Sequence, residues 1–331
     1  MKILLILLLT SSTWASQASP KILSLKSQAT TIDRLLADKV KNTLSPLMRK
    51  NGIDMWVVMA REYNEDPVIR TMLPATWHAA RRRTVLVMFD PGPDLDIETF
   101  AVARYDVGSV FKKAWDKDKQ PDQWQRLVEI IKDKKPNKIG LNYSKFQAQA
   151  DGLTHAEHQQ FFENLPQAFH AQVVSAEKLA TNWLETRTAA EMAIYPQIVG
   201  IAHEIIAEGL SNQAIQPGVT STEDLVWWFR EKVRSLGLKA WFHPTVSIQR
   251  ADASSFDHLR TFDSRPAENI IQAGDLLHVD FGITYLRLNT DTQQHAYVLK
   301  PGETDAPKFL KQALAKGNQL QDIFTDNFKV G

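Results

Sequence analysis

Between residues 31 and 50 the apolar side chains Ile32, Leu35, Leu36, Val40, Leu44, Leu47 and Met48 recur at three- and four-residue intervals. That is the stripe of an amphipathic helix, and Asn51-Gly52 supplies its stop. Short β-rich runs follow at 53–59, 84–89, 99–103, 138–141 and 172–175, with helical stretches predicted at 122–134 and 145–163. The alternation predicts an α/β layer with a mainly buried sheet, over residues 19–180. The texture changes near Trp183. Thr188-Ala-Ala-Glu191 has the form of a capping box opening a helix to about Gly209, kinked or interrupted at Pro196. Pro217-Gly218 turns the chain, Thr220 and Glu223 are placed to cap again, and a Trp-rich helix runs over 225–236 to Gly237. Strands are predicted at 245–249, 276–281 and 289–299, so residues 181–331 read as an α+β arrangement of two helices leading into an antiparallel sheet.

The first eighteen residues stand apart. One charge at Lys2, an apolar run from Ile3 to Leu9 and small residues up to Ala18 have the layout of an export signal cleaved after Ala18. The expected location is therefore secreted or periplasmic, with no membrane attachment once the signal is removed. Lys and Arg number 39 against 38 Asp and Glu over 331 residues. Such a balance offers no basic field for nucleic acid. There is no cysteine, which excludes disulfides, thiolate metal sites and thiol nucleophiles. Chemistry must come from carboxylates, histidines or hydroxyls.

The most informative stretch is 274–295. Asp280 lies inside an apolar run between Val279 and Phe281, where a strand would bury it, and Asp291 follows eleven positions later. An odd separation lets the two sit directly opposite each other across a hairpin whose even-numbered loop centres on Tyr285-Leu286. Two anions about 5 Å apart repel by roughly 3 kcal/mol at an effective dielectric near 20. A shared proton would make an aspartic dyad; a divalent cation would make an oxygen-rich metal site; or one Asp caps a turn while the other faces solvent.

These residues resemble a family. Asp280-Phe-Gly282, with a second Asp eleven positions on in Asn289-Thr-Asp291-Thr292, is similar to the first two metal ligands of the pita-bread metallopeptidases, in the Xaa-Pro aminopeptidase and dipeptidase branch. Leu184-Glu-Thr-Arg187-Thr-Ala-Ala-Glu191, Pro217-Gly218-Val-Thr220 and Phe242-His243-Pro244-Thr-Val246 resemble successive segments of that catalytic domain. Gly52-Ile53-Asp54-Met-Trp-Val-Val and Arg61-Glu62-Tyr63-Asn64 resemble the creatinase-type N-terminal domain. The resemblance implies a signal peptide (1–18), a creatinase-like N-terminal α/β domain (19–180) and an α+β pita-bread domain (181–331), the latter incomplete. It implies Asp280 and Asp291 as metal ligands and His258 as a substrate-contacting histidine. It implies two divalent ions (Mn, Co or Zn) bridged by hydroxide, and short, including proline-containing, peptides as substrates. The sequence departs from the family pattern at Gln249-Arg250, where a glycine is usual, and at Thr292-Gln293-Gln294.

The complete family site adds a His and two Glu. None of the nine histidines lies beyond His295, and Glu303, Asp305, Asp322 and Asp326 fall in a turn and a helix predicted over 306–324. Two carboxylates leave most coordination positions to water, so weak metal binding is expected. The expectation is then a truncated product or interrupted gene, inactive alone, or a non-catalytic descendant that binds peptide or protein. An open sheet edge and an uncovered helical face would favour aggregation, a homodimer or a partner chain. A creatinase-like, metal-free C–N hydrolase is disfavoured by retention of both carboxylates. His203-Glu204 lacks the second histidine of a zinc helix, His155 and His158 lack a third ligand, Arg81-Arg82-Arg83 read as solvated strand-entry charges, and Trp227-Trp228 as core.

Overall fold

A computed structural model describes residues 22–250 and 269–329. The export-signal segment lies outside them. Six strands form the first sheet: β1 (Met55–Arg61), β2 (Arg83–Phe89), β3 (Glu98–Val102), β4 (Lys112–Lys113), β5 (Ile139–Leu141) and β6 (Val173–Ser175), in the order β4-β3-β2-β1-β5-β6. The β1–β2 and β2–β3 pairs are antiparallel and the remaining pairs parallel. Alternate residues serve opposite faces. Trp56, Val58, Leu86 and Met88 face one apolar core, while Met55, Val57, Val85 and Val87 face another. Both faces are buried, as the continuous apolar runs predict.

The helices covering this sheet are α1 (Leu25–Lys39), α2 (Ser45–Lys50), α3 (Pro67–Met72), α4 (Gln123–Lys134), α5 (His155–Asn164) and α6 (Glu177–Glu185). The leading helix starts earlier than its apolar stripe, because Ser24 accepts from the Ser27 N–H and caps it. Between α1 and α2 residues 40–44 form a π turn. Pro46 has no N–H to return to the preceding turn, and the helix widens there. The stretch predicted as one helix over 145–163 is corrected: it is a short 3₁₀ turn followed by α5, because Thr154 caps a new start at His155.

The second part begins with α7 (Ala189–Met192), opened by the predicted Thr188–Glu191 capping box, and α8 (Tyr195–Gly209), with Pro196 in its first turn. Helix α9 (Thr222–Ser235) is capped one residue later than predicted, by a reciprocal Ser221–Asp224 box. Strands β7 (Lys239–Ala240), β8 (Thr245–Gln249), β9 (Leu276–Phe281), β10 (Ile283–Tyr285), β11 (Leu288–Asn289) and β12 (Thr292–Tyr297) make two small sheets, β8-β9-β12 and β7-β10-β11. Leu277, Val279 and Phe281 pack with Ile198, Ile205 and Phe229 in one core, where the Phe229 and Phe281 ring centres are 5.1 Å apart. Helix α10 (Lys308–Asp326) follows and exposes Phe309, Leu314, Leu320 and Phe324. No helix among the described residues is long and apolar enough to cross a membrane.

Lys39 sits buried near the start of this second part. Its ammonium donates to the Thr186 carbonyl at 2.7 Å, lies 3.8 Å from Glu191 and stands over the Trp183 ring. Burial lowers its pKa to about 8; Glu191 opposes the shift and Arg187 adds to it. Below about pH 8 both folded and unfolded states hold this proton, and the cost of burying the charge is fully present. Between about 8 and the ordinary lysine range the unfolded state binds more protons, so this group makes stability rise with pH, at no more than about 1.4 kcal/mol per unit. Urea unfolding at roughly pH 7.5 and 9.5, on either side of the lowered value, checks this. The gain should be missing from Lys39→Gln, and an equal gain in that variant would refute the assignment.

Candidate functional site

Strand β9 buries only one of its faces. Leu277, Val279 and Phe281 point to the core, while His278 and Asp280 lie on the other face, which is partly open. The expectation that a strand would bury Asp280 outright is thus corrected, although its Oδ1 atom is buried and has no hydrogen-bond partner. Thr245 of β8 and Gln293 of β12 flank Asp280 on either side.

The two carboxylates do share a face, but they are not directly opposite. Asp280 faces Gln293, and Asp291 lies two residues away along the partner chain, a diagonal neighbour. The hairpin is centred on Leu286-Arg287, one position beyond the predicted centre, with φ of 54° and 64° at those residues. Non-glycine residues rarely take this conformation. Here burial of Leu286 and two hydrogen bonds from the Arg287 guanidinium, to the Thr71 and Leu73 carbonyls, hold it in place.

Gly282 makes the bend between β9 and β10. A Cβ there would lie 2.3 Å from the Thr290 carbonyl oxygen and 2.7 Å from the Phe242 ring, so only glycine fits. Three hydrogen bonds converge on the bend: Trp241 N–H to the Gly282 carbonyl, Thr290 N–H to the Ile283 carbonyl, and Ile283 N–H to Thr290 Oγ1. They fix the backbone immediately before Asp291 against the end of β9.

Burial raises the Asp280 pKa above the usual carboxylate range. The Asp291 charge adds to the shift, His278 opposes it, and Asp291 adds further as a hydrogen-bond partner of the protonated form. A buried, unpartnered carboxylate oxygen beside a second carboxylate suits either a cation or a shared proton. The donor set is all oxygen, which fits hard and borderline divalent cations. Among the described residues no three His, Cys, Asp or Glu groups converge to hold a metal.

His258 lies outside the described residues. The departure at Gln249-Arg250 has a structural use: Arg250 forms a two-pronged pair with the buried Asp275, at 2.7 and 2.9 Å, and also donates to the Ile270 carbonyl. Of the motifs set aside, His158 packs against the Tyr143 and Phe162 rings, while Arg81 and Arg83 stand over Trp77 and Trp124 instead of being merely solvated. Trp228 packs on the second core, but Trp227 is exposed and donates to Glu223, which corrects its reading as core. The sequence reading missed His278 and His295, which share the face of Asp280. The period-two positions 278 and 280 are the signal that places the first there.

No family model matches the chain, and no curated protein matches it in sequence. Solved structures do match. An X-Pro aminopeptidase from Thermotoga maritima superposes with a TM-score of 0.55 at 14% identity, covering 81% of this chain and 67% of that one. A histidine-to-alanine variant of Escherichia coli aminopeptidase P gives 0.51 at 12% identity, covering 86% and 64%. The chain therefore has the pita-bread fold of these structures, and at such identities the likeness is one of fold alone. The chain spans about two thirds of the length of these neighbours.

Proposed function

We propose that this protein carries part of a dinuclear metallopeptidase site of the Xaa-Pro aminopeptidase or dipeptidase type, on a creatinase-like domain followed by a pita-bread domain. The observation that carries the reading is Asp280 beside Asp291 on one face, with Asp280 Oδ1 buried and unpartnered. Bound divalent ions would acidify water and polarise a scissile carbonyl. Asp280 and Asp291 would hold the ions, and His258 would contact the peptide. The substrates are short peptides, proline-containing ones among them, met outside the cytoplasm after export.

With two carboxylates as its own described donors, the chain is expected to bind Mn²⁺, Co²⁺ or Zn²⁺ weakly and to hydrolyse Xaa-Pro dipeptides and tripeptides slowly or not at all. The second reading, a non-catalytic peptide- or protein-binding module of the same fold, is favoured by the absence of a third converging donor among the described residues. Calorimetric titration with Mn²⁺ and with an Xaa-Pro tripeptide separates the two. Metal binding lost in Asp280→Asn supports the metal site, whereas saturable peptide binding unchanged by chelator, with no metal binding, supports the module.

A further inference from the structure

We propose that His278 and His295 form a second cation site on the open face of the β8-β9-β12 sheet. It is a two-imidazole chelate for a nitrogen-preferring divalent ion of the Cu²⁺, Ni²⁺ or Zn²⁺ type, and it is separate from the Asp280–Asp291 pair. This inference goes beyond the peptidase reading and does not depend on it.

Register supplies the first support. His278 on β9 and His295 on β12 are direct cross-strand partners, the arrangement in which side chains on one face come closest. Their ring centres are 4.9 Å apart, with the planes at 49°. With metal–nitrogen bonds of about 2.1 Å a ring centre lies about 3.2 Å from the ion, so two imidazoles bound about 90° to 110° apart have centres roughly 4.5 to 5.2 Å apart. The observed spacing falls inside that interval without movement of the backbone.

Orientation is the second support. Gln293, on the same face, accepts a hydrogen bond from His278 Nε2 at 3.1 Å. In the neutral tautomer that carries its proton on Nε2, this contact leaves Nδ1 with the lone pair a cation needs, an arrangement usual around metal-binding histidines. Charge is the third. None of the three strands, Thr245–Gln249, Leu276–Phe281 and Thr292–Tyr297, contains Lys or Arg. The charged carboxylates near the pair are Asp280, two residues along β9, and its neighbour Asp291, so the local field favours a cation. No third donor converges among the described residues, which leaves the remaining coordination positions to water. Imidazole donors then select Cu²⁺ first and Ni²⁺ or Zn²⁺ after it, and disfavour Mg²⁺ and Ca²⁺.

The test uses the whole chain, stripped with chelator and titrated with Cu²⁺, read by electron paramagnetic resonance and by calorimetry. The expected result is one tight equivalent whose spectrum carries coupling to two imidazole nitrogens. His278→Gln and His295→Gln should each weaken binding by about tenfold or more and leave one coupled nitrogen. Asp280→Asn should keep the two-nitrogen spectrum. Unfolding midpoints of the metal-free variants equal to that of the parent establish that the loss is local. For a variant whose midpoint drops, the nitrogen coupling of its folded fraction at low temperature decides the matter. A two-nitrogen spectrum that survives both histidine variants overturns the proposal, as does one absent from the parent chain. Loss of the ion in Asp280→Asn alone would assign it to the carboxylate pair and also overturn the proposal, whereas failure of the peptidase reading would leave the two-nitrogen signal in place.

Discussion

Gly282→Ala is expected to destabilise the protein by about 3 kcal/mol, with larger loss if the bend opens. The added methyl would sit 2.3 Å from the Thr290 carbonyl oxygen and 2.7 Å from Phe242 Cε1, and the nearer of these is backbone that cannot swing aside. Relief requires moving residues 290–291 away from the end of β9. That would lengthen the Thr290 N–H to Ile283 hydrogen bond and carry Asp291 away from Asp280. The same substitution should therefore cost metal affinity as well as stability. Gly200 provides the control. It lies inside α8, and a methyl group there would have no neighbouring atom within 4 Å outside the helix's own backbone. Gly200→Ala should accordingly stabilise by about 0.5 to 1 kcal/mol through helix propensity. Urea denaturation of the two variants measures both effects. Equal, small changes would show that the bend yields and that the close approach has no energetic weight.

Much of this architecture is legible in the sequence, because the dominant signals are local. The apolar runs that become β1, β2 and β5 bury both faces, and the alternating run 276–281 buries one. The Thr188–Glu191 box is read correctly because its donors and acceptors lie within one turn. Errors arise where distant residues decide. Nothing near Leu286-Arg287 signals a turn with positive φ, since the usual Asn-Gly or Gly pair is missing. The conformation is held by Thr71 and Leu73, more than two hundred residues away in sequence. That one-residue shift in the hairpin centre changes Asp291 from a direct partner of Asp280 into a diagonal one. It also fixes the pairing of His278 with His295, which no local motif announces. The shared face of the two carboxylates survives the shift because a move of one in the centre changes the register by two, and side chains alternate with a period of two.

Asp280→Asn is expected to do two opposite things: to stabilise the metal-free protein by about 1 kcal/mol and to lower its affinity for divalent cations by at least about tenfold. Asp280 Oδ1 is buried without a partner, and its carboxylate faces the charge of Asp291. An amide keeps the shape and removes the repulsion, and its NH₂ group can donate to Asp291. The pH dependence follows from the direction of the shift. Because the folded pKa of Asp280 is raised, the folded state holds more protons than the unfolded state between the two values. The stabilising proton is fully present below the ordinary carboxylate range and is lost as pH rises through the raised value, so the penalty is complete above that value. The advantage of Asp280→Asn should accordingly be small at about pH 3.5 and larger at about pH 7. Denaturant unfolding at the two pH values, with and without Mn²⁺, reads all three effects. In the parent chain Mn²⁺ should raise the midpoint by neutralising the pair, and in the variant that rise should vanish. A variant that is less stable than the parent at neutral pH would mean that the carboxylate contributes net stability to the fold. The pair would then be an ordinary feature of the sheet surface and not a site held ready for a cation.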